Sequence, residues 1–457
     1  MRLALTALAF ALAAPAAAQD FAVINATVVI GDGSAPIERG TVVVRGGKVA
    51  AAGAAVSVPA GIETIDAAGK WVTPGIVVGV TDLGLVDVDA VGESNDYAVS
   101  GSPFNAALDV APAVNPSAQP IAVTRAAGIT RAAIAGGAGG SVFAGQGAII
   151  DLGADPQAVT RARAFQFVEL GEDGAAKAGG SRTAAHALLR NALREARDFG
   201  RREGVAGWRA ERGPISTGDD VPLDPRLAPG DERRDQDVLL TRFDAAALIP
   251  VVAGRQPLYV HVERASDIRA VLGLKREFPA LRLVIVGASE GWLAAADLAA
   301  AGVPVIADAL NDLPSEFEQL AATQSNIGRM TAAGVKVALG NLRNDDNAQP
   351  RYAAQYAGNL VALTRVPGAS GLSWGQAFAA ISSVPAEILG MGERFGSLRA
   401  GRAGDVVIWD GDPLEVSSAV LAVFIDGVAQ PIDNHQTRLR ERYRTPSEGA
   451  LPKAYDW

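Results

Sequence analysis

The stretch Trp71-Val72-Thr73-Pro74-Gly75-Ile76-Val77-Val78-Gly79-Val80-Thr81-Asp82 divides the chain into two textures. Before it lie short β-branched runs: Phe21 to Ile30, Thr41 to Val44, Lys48 to Ala50 and Glu63 to Asp66. Glycine turns at Gly31-Asp32-Gly33 and Gly46-Gly47 split them. Such runs predict antiparallel β structure. After it, strands and helices alternate. Ile76 to Val80 reads as a strand, as do Ile129 to Ala135, Pro257 to Val262, Leu281 to Val286, Pro304 to Ala307 and Val335 to Leu339. Helical patterns run over Thr183 to Arg212, Ser266 to Phe278, Gly291 to Ala301 and Gln324 to Ala333. This alternation predicts an α/β fold, a parallel (β/α)8 TIM-type barrel over residues 74–394. In such a barrel the functional residues sit at the C-terminal ends of the strands.

The far end returns to β texture at Gly404 to Pro413 and Val423 to Val428. Residues 19–73 and 395–435 are therefore expected to form one small β-sandwich domain from both termini, followed by a polar tail over 436–457. Gly213 to Asp237 has prolines, acids and arginines without apolar period, and is expected to be an inserted surface loop. Arg194, Arg197, Arg201 and Arg202 alternate with acids on the long helix, which predicts a solvated face.

The chain has 457 residues, enough for a large barrel with an appendage. It is 49% apolar but only 5% aromatic, so Ala, Val and Leu must fill the core. A net charge of -9 argues against nonspecific nucleic-acid binding. The absence of cysteine excludes disulfides and thiolate metal sites. Met1-Arg2, the apolar run Leu3 to Ala13 and the Ala-x-Ala ending at Ala18 predict a cleaved signal peptide over residues 1–18, and so a periplasmic or secreted protein. No later run reaches the roughly 18 apolar residues of a membrane span.

Several segments, in order and spacing, resemble the amidohydrolase superfamily. They are Ile37 to Val44, Ile65 to Gly75, Ala144-Gly145-Gln146-Gly147, His261, the Glu290-Gly291 pair, Pro385 to Gly390, Phe395 to Leu398 and Gly401 to Val407. The likeness points to the imidazolonepropionase-like secreted branch and covers nearly all of the chain after the signal. It implies hydrolysis of non-peptide carbon–nitrogen bonds in small or cyclic amides. It also implies one or two divalent cations, zinc among them, that lower the pKa of a bound water. In such proteins two histidines end the first strand, and the fifth and sixth strands supply one each. Some members add a carboxylated lysine from the fourth strand. An aspartate after the eighth strand moves the proton.

Carried onto this chain, the first histidine falls on Val80 and the second on Asp82. The fifth-strand histidine falls on His261, the sixth-strand histidine on Gly287 and the aspartate on Leu342, with Asn341, Asp345 and Asp346 close by. No fourth-strand lysine can be placed; Lys177 is the nearest. Val80, Gly287 and Leu342 cannot coordinate a metal. The chain has only three histidines, and His186 and His435 are expected in a long helix and in the C-terminal β domain. A zinc site of three or four N or O ligands cannot be rebuilt from His261 alone.

Three readings follow. In the first, the metal site is degenerate and hydrolysis is weak or lost. The protein then acts as a binding or partner subunit for a small-molecule ligand, as a homo-oligomer or with an active relative. In the second, a rearranged hydrolase uses Asp82 and His261, with at most one divalent metal on His261, Asp82 and Asp308. In the third, the barrel mouth binds an envelope solute. Gln146, Glu263, Arg264, Glu290 and Asn341 are the expected pocket-lining residues in each case.

Overall fold

The computed structural model describes residues 18–99, 101–202, 239–308, 311–342 and 349–445. The expected signal peptide (apart from Ala18), the expected insert at 213–237 and the last part of the tail lie outside the described residues.

The chain opens with strands β1 (Phe21–Val28), β2 (Ile37–Arg45), β3 (Lys48–Gly53), β4 (Glu63–Asp66) and β5 (Trp71–Pro74). A second set follows: β6 (Ile76–Thr81), β7 (Ile129–Ile134), β8 (Phe143–Asp151), β9 (Val159–Glu169), β10 (Leu258–Val262), β11 (Leu283–Gly287), β12 (Val305–Ala307) and β13 (Val337–Leu339). The last strands are β14 (Val406–Trp409), β15 (Val420–Ile425) and β16 (Val428–Gln430). The helices that matter below are α1 (Gln119–Ala126), α2 (Glu172–Lys177), α3 (Arg182–Arg202), α4 (Arg242–Val252) and α5 (Ala265–Glu277). They are followed by α6 (Ala295–Ala301), α7 (Asn326–Ala332), α8 (Ala353–Ala362), α9 (Trp374–Ala379), α10 (Ser383–Ile388) and α11 (His435–Arg444).

Among the described residues, β6 to β13 form one eight-stranded sheet in chain order. Its two edges meet. The Val80 N–H donates to the Gly340 carbonyl at 2.7 Å, and the Leu342 N–H donates to the Val80 carbonyl at 3.0 Å. The sheet is thus a nearly closed barrel. Inside it pack Val77, Val80, Phe165, Phe167, Tyr259, Val284, Val286, Ile306 and Ala338. The Phe165 and Tyr259 rings stack with centroids 4.2 Å apart. The apolar sides of α3 to α8 cover the outside, where Leu189, Leu193, Leu248, Ile268, Leu298, Met330 and Leu360 are buried.

One strand departs from the all-parallel expectation. β8 runs antiparallel to both β7 and β9. Its connections, residues 135–142 and 152–158, are shorter than the dozen or so residues that a parallel crossover needs. The ring therefore turns back on itself once before the parallel run β9 to β13 begins.

The other strands build the small sheet, in the order β16-β15-β14-β5-β1-β2-β3, with β4 also paired to β1. Both chain ends contribute, because β14 pairs antiparallel with β5 (Val406 opposite Pro74). Hydrogen bonds join these strands into one sheet, and the sandwich arises because that sheet curls. Phe21 on β1 stacks on Phe424 of β15 at 4.3 Å although β5 and β14 lie between them in the strand order. Phe21, Val42, Val44, Val72, Val406 and Phe424 fill the space between.

Arg131 of β7 fastens the barrel to this sheet. Its guanidinium donates to Asp405 at 2.7 and 2.8 Å and reaches Asp426 at 2.8 Å, with the Phe395 ring 5.4 Å from its centre. Burial opposes its charge, but the Asp405 and Asp426 carboxylates outweigh that and raise its pKa.

The tail is less irregular than expected. Asn434 accepts hydrogen bonds from the N–H groups of Gln436 and Thr437, and the Thr437 hydroxyl accepts from the Asn434 N–H. This capping box starts α11, so His435 begins a helix rather than ending the β domain. The long helix is not fully solvated either. Arg190 and Arg194 pair with Glu277 of α5, and Arg197 lies over the Phe278 ring. Among the described residues, no helix is long and apolar enough to cross a membrane.

Candidate functional site at the barrel mouth

Strand register builds the site. β9 and β10 run parallel with Glu169 opposite His261. Alternation along β10 sends Tyr259 into the barrel, and His261 and Glu263 follow on the same side. Counted from β6, these are the fourth and fifth strands, so His261 occupies the fifth-strand position that the sequence assigns it. Glu169, at the end of the fourth strand, stands where a lysine was sought. Lys177 lies in the last turn of α2 and does not belong to that strand.

His261 is held between two carboxylates. Its Nδ1 lies 2.8 Å from both oxygens of Glu169, and its Nε2 lies 2.9 Å from Glu263 Oε1. A carboxylate on each ring nitrogen favours the imidazolium form, in which both nitrogens donate. Burial disfavours that charge, but Glu169 and Glu263 outweigh it and lift the His261 pKa well above its ordinary value. Burial alone would raise the Glu263 pKa. The bonds from His261 and from the Ser289 N–H, at 2.7 Å, lower it instead. Glu169 also accepts from the Gly171 N–H at 3.1 Å.

Gly287 explains why this arrangement fits. It ends β11, the sixth strand, with a left-handed φ of +85°. A Cβ there would lie 2.3 Å from Glu263 Oε1 and 2.9 Å from His261 Nε2. The place of a sixth-strand histidine is thus filled by the Glu263–His261 contact. Val80 and Leu342 are each 1% exposed and contribute only hydrocarbon.

A second cation organises the rim. Arg182 donates to Asp267 at 2.8 Å and to Glu318 at 2.7 Å. Glu318 also accepts from the Glu172 N–H at 2.9 Å, which ties residues 316–319 to the start of α2. Burial first, and the nearby Glu263 charge after it, raise the Glu318 pKa despite these bonds. Sequence reasoning missed Glu169, Arg182 and Glu318. The alternation Phe165-Gln166-Phe167-Val168-Glu169, with aromatics on one face, was the available signal for a strand ending in Glu169.

The other expected site residues separate. Asp82 and Asp308 follow the ends of β6 and β12, but the bonds of His261 go to Glu169 and Glu263 and not to either aspartate. Within the expected metal group His261, Asp82 and Asp308, both nitrogens of His261 thus face Glu169 and Glu263. Arg264 caps α5 and pairs locally with Asp267 at 2.9 Å. Glu290 accepts from the N–H groups of Ala265 and Ala321, both at 3.0 Å, and so ties two loops together. Asn341 sits at the barrel seam opposite Val80, with its Oδ1 buried and unpartnered. Gln146 stands apart. It donates to the Ala107 carbonyl at 3.4 Å and accepts from Gln256 at 3.3 Å, in a separate cleft away from His261.

Among the described residues, no group of three or more His, Cys, Asp or Glu side chains is arranged to hold a metal ion. The donors that do converge are two carboxylates already occupied by an imidazolium.

Comparison with known proteins gives three findings. An amidohydrolase family model matches residues 285–429. A stretch of 60 residues is 48% identical to the amidohydrolase tasK of Hapsidospora irregularis; it is 13% of this chain and covers only 6% of that protein's length. The crystal structure of an amidohydrolase from Thermotoga maritima MSB8 has a TM-score of 0.72 and 23% identity, over 90% of this chain and 99% of that one. Molinate hydrolase has a TM-score of 0.53 and 16% identity, over 96% and 99%. At these identities the structural likeness shows the fold. The family model covers residues 285–429 only, and the likeness of fold to the Thermotoga maritima amidohydrolase runs over 90% of this chain.

Proposed function

We propose that this chain is an exported amidohydrolase-fold protein with a degenerate metal site, which binds a small molecule or serves as a partner subunit rather than hydrolysing amides efficiently. One observation carries the reading: each ring nitrogen of His261 lies within hydrogen-bond distance of a buried carboxylate, which favours the doubly protonated ring. A ring in that state offers no lone pair to a metal, and it cannot take a proton from a water nucleophile. Gly287 supports the reading, because a histidine side chain there would collide with Glu263. The proposal of export rests on the pattern Met1 to Ala18. A homo-oligomer, or a pair with an active relative, is part of the same proposal.

A rearranged hydrolase using Asp82 and His261 has less support, since both ring nitrogens of His261 face Glu169 and Glu263. The test is metal analysis of the full chain expressed and purified without chelator, paired with assays on N-acetyl amino acids and cyclic imides. The expected result is metal far below stoichiometry and no turnover above background. One tightly held zinc or manganese per chain together with amide hydrolysis would contradict the proposal.

A further inference from the structure

We propose that α11 of one copy of this chain docks on the rim of the barrel mouth of a second copy, where Phe317 and Leu320 stand exposed beside acids. This names the surfaces of the homo-oligomer in the reading above, and it rests on that reading to this extent.

The rim is the connection between β12 and α7. Phe317–Gln319 form a 3-10 turn. Glu318 is 2% exposed, and its bonds to Arg182 and to the Glu172 N–H anchor the turn. Residues three apart in such a turn lie on the same side. Phe317 and Leu320 therefore point outward together, 81% and 67% exposed. Leu313 on the same connection is also exposed. Large apolar side chains grouped on an anchored turn mark an interaction surface. Acids stand beside them. Glu316 precedes Phe317, and Asp173 and Glu172 are near enough that, after burial, their charges raise the Glu316 pKa. Arg182 is held by Asp267 and Glu318.

The other surface is α11. It has ten residues, and none of them is buried. A helix that short depends on packing for its stability, yet within one copy it lies only along α1, with Gln436 bonded to Arg351. It carries Arg438, Arg440, Arg442 and Arg444 against Glu441. Among the described residues, only Arg444 of these four makes an ion pair, with Glu441. Leu439 and Tyr443 are four apart and share a face, flanked by Arg440 and Arg442. Tyr443 is exposed.

The two surfaces match: an apolar pair between arginines meets an apolar pair beside acids. Complementary charge of this kind orients a contact and speeds encounter. Phe317, Leu320 and Tyr443 are all exposed, so the surfaces do not cover each other within one copy. In a two-fold pair the contact is made twice. A lipid surface suits α11 less well, because Leu439 and Tyr443 offer little apolar area to bury in a headgroup layer. One short helix face is a small interface, so the association should be weak and salt-sensitive.

Sedimentation velocity of the full chain, over a range of concentrations and at low and high salt, tests this. The expected result is reversible self-association that weakens about tenfold or more at high salt. Phe317→Ser with Leu320→Ser should weaken it about tenfold or more. Arg440→Glu with Arg442→Glu should be monomeric alone, and so should Asp173→Lys with Glu316→Lys. Mixing these two charge variants should restore association, because each rim then meets a helix of opposite sign. All six side chains are exposed, so thermal unfolding should be unchanged. A chain that is monomeric at every concentration, association untouched by these changes, or no recovery on mixing would overturn the proposal. So would binding to phosphatidylglycerol vesicles that the arginine variant loses, without any self-association, since that assigns α11 to a lipid surface. Association is read without metal or substrate, so it can fail while the metal and turnover results hold, and the reverse.

Discussion

Two buried cations in this barrel are each clasped by carboxylates, and they differ in whether the cation can be discharged. Arg131 joins β7 to the small sheet through Asp405 and Asp426. His261 lies at the mouth between Glu169 and Glu263. A guanidinium keeps its charge at every accessible pH, so the first cluster is a fixed tie. An imidazolium is charged only while its carboxylates hold it so, and the second cluster depends on pH. The likeness of the two lies in geometry: a strand places the cation inside, and neighbouring elements close on it with acids. Both ends of the barrel thus carry a cation enclosed by acids.

The largest expected effect comes from breaking the fixed tie. Arg131→Leu leaves Asp405 buried and uncompensated and should cost about 3–5 kcal/mol in urea unfolding, by nearly the same amount at pH 6 and pH 9. A loss below about 1 kcal/mol, the range of exposed pairs, would remove Arg131 from its role as the link between barrel and sheet.

His261→Gln comes next. An amide can still donate one hydrogen bond, so the expected cost at neutral pH is about 2–3 kcal/mol. This difference should vary with pH in a defined way. The folded-state pKa of His261 is raised, so its contribution is complete below the unfolded value of about 6.5. It is lost as pH rises through the folded value. The folded-state pKa of Glu263 is lowered, so its share is present above the unfolded value of about 4.3. That share is lost as pH falls through the folded value. The gap between wild type and His261→Gln should therefore be widest between those limits. A gap that stays constant from pH 4 to pH 10 would break the contrast with Arg131.

Gly287→Ala sharpens the same comparison. A methyl group at a φ of +85° and 2.3 Å from Glu263 must displace the carboxylate. The expected cost is about 1–3 kcal/mol, and it should shrink in a His261→Gln background because the displaced contact is already lost. Full additivity of the two changes would argue against a shared contact. Smallest of all is Arg269→Ala. Its pair with Asp297 is about half-exposed on both sides, so calorimetry should show less than about 1 kcal/mol, screened further by salt.

The barrel could be read from the sequence because β/α alternation is strong from β10 to β13, and the composite sheet because both ends share glycine-split β-branched runs. His261 could be read because it ends a clear strand. The rest of the site could not, for identifiable reasons. β8 runs antiparallel, which breaks the alternation just before β9 and hides Glu169. The same reversal turns Gln146 towards α4 and away from the mouth. Arg182 sits at the start of a helix rich in arginine, where nothing in the local pattern separates it from solvated neighbours. Gly287 reads in sequence as a missing ligand, whereas in space it is room for Glu263. Asp82 and Asp308 share with His261 the property of following a strand, but strand ends alone do not fix which side chains bond to one another.

The account rests on the charge state of His261, and nitrogen NMR of the full chain labelled at histidine reads it directly. Only three histidines contribute, and His261→Gln identifies the relevant pair of signals. The expected spectrum at neutral pH shows both ring nitrogens of His261 protonated, with that state persisting above the pH at which an ordinary histidine loses its charge. A neutral ring with one unprotonated nitrogen at neutral pH, or a nitrogen shifted by a bound metal, would contradict it.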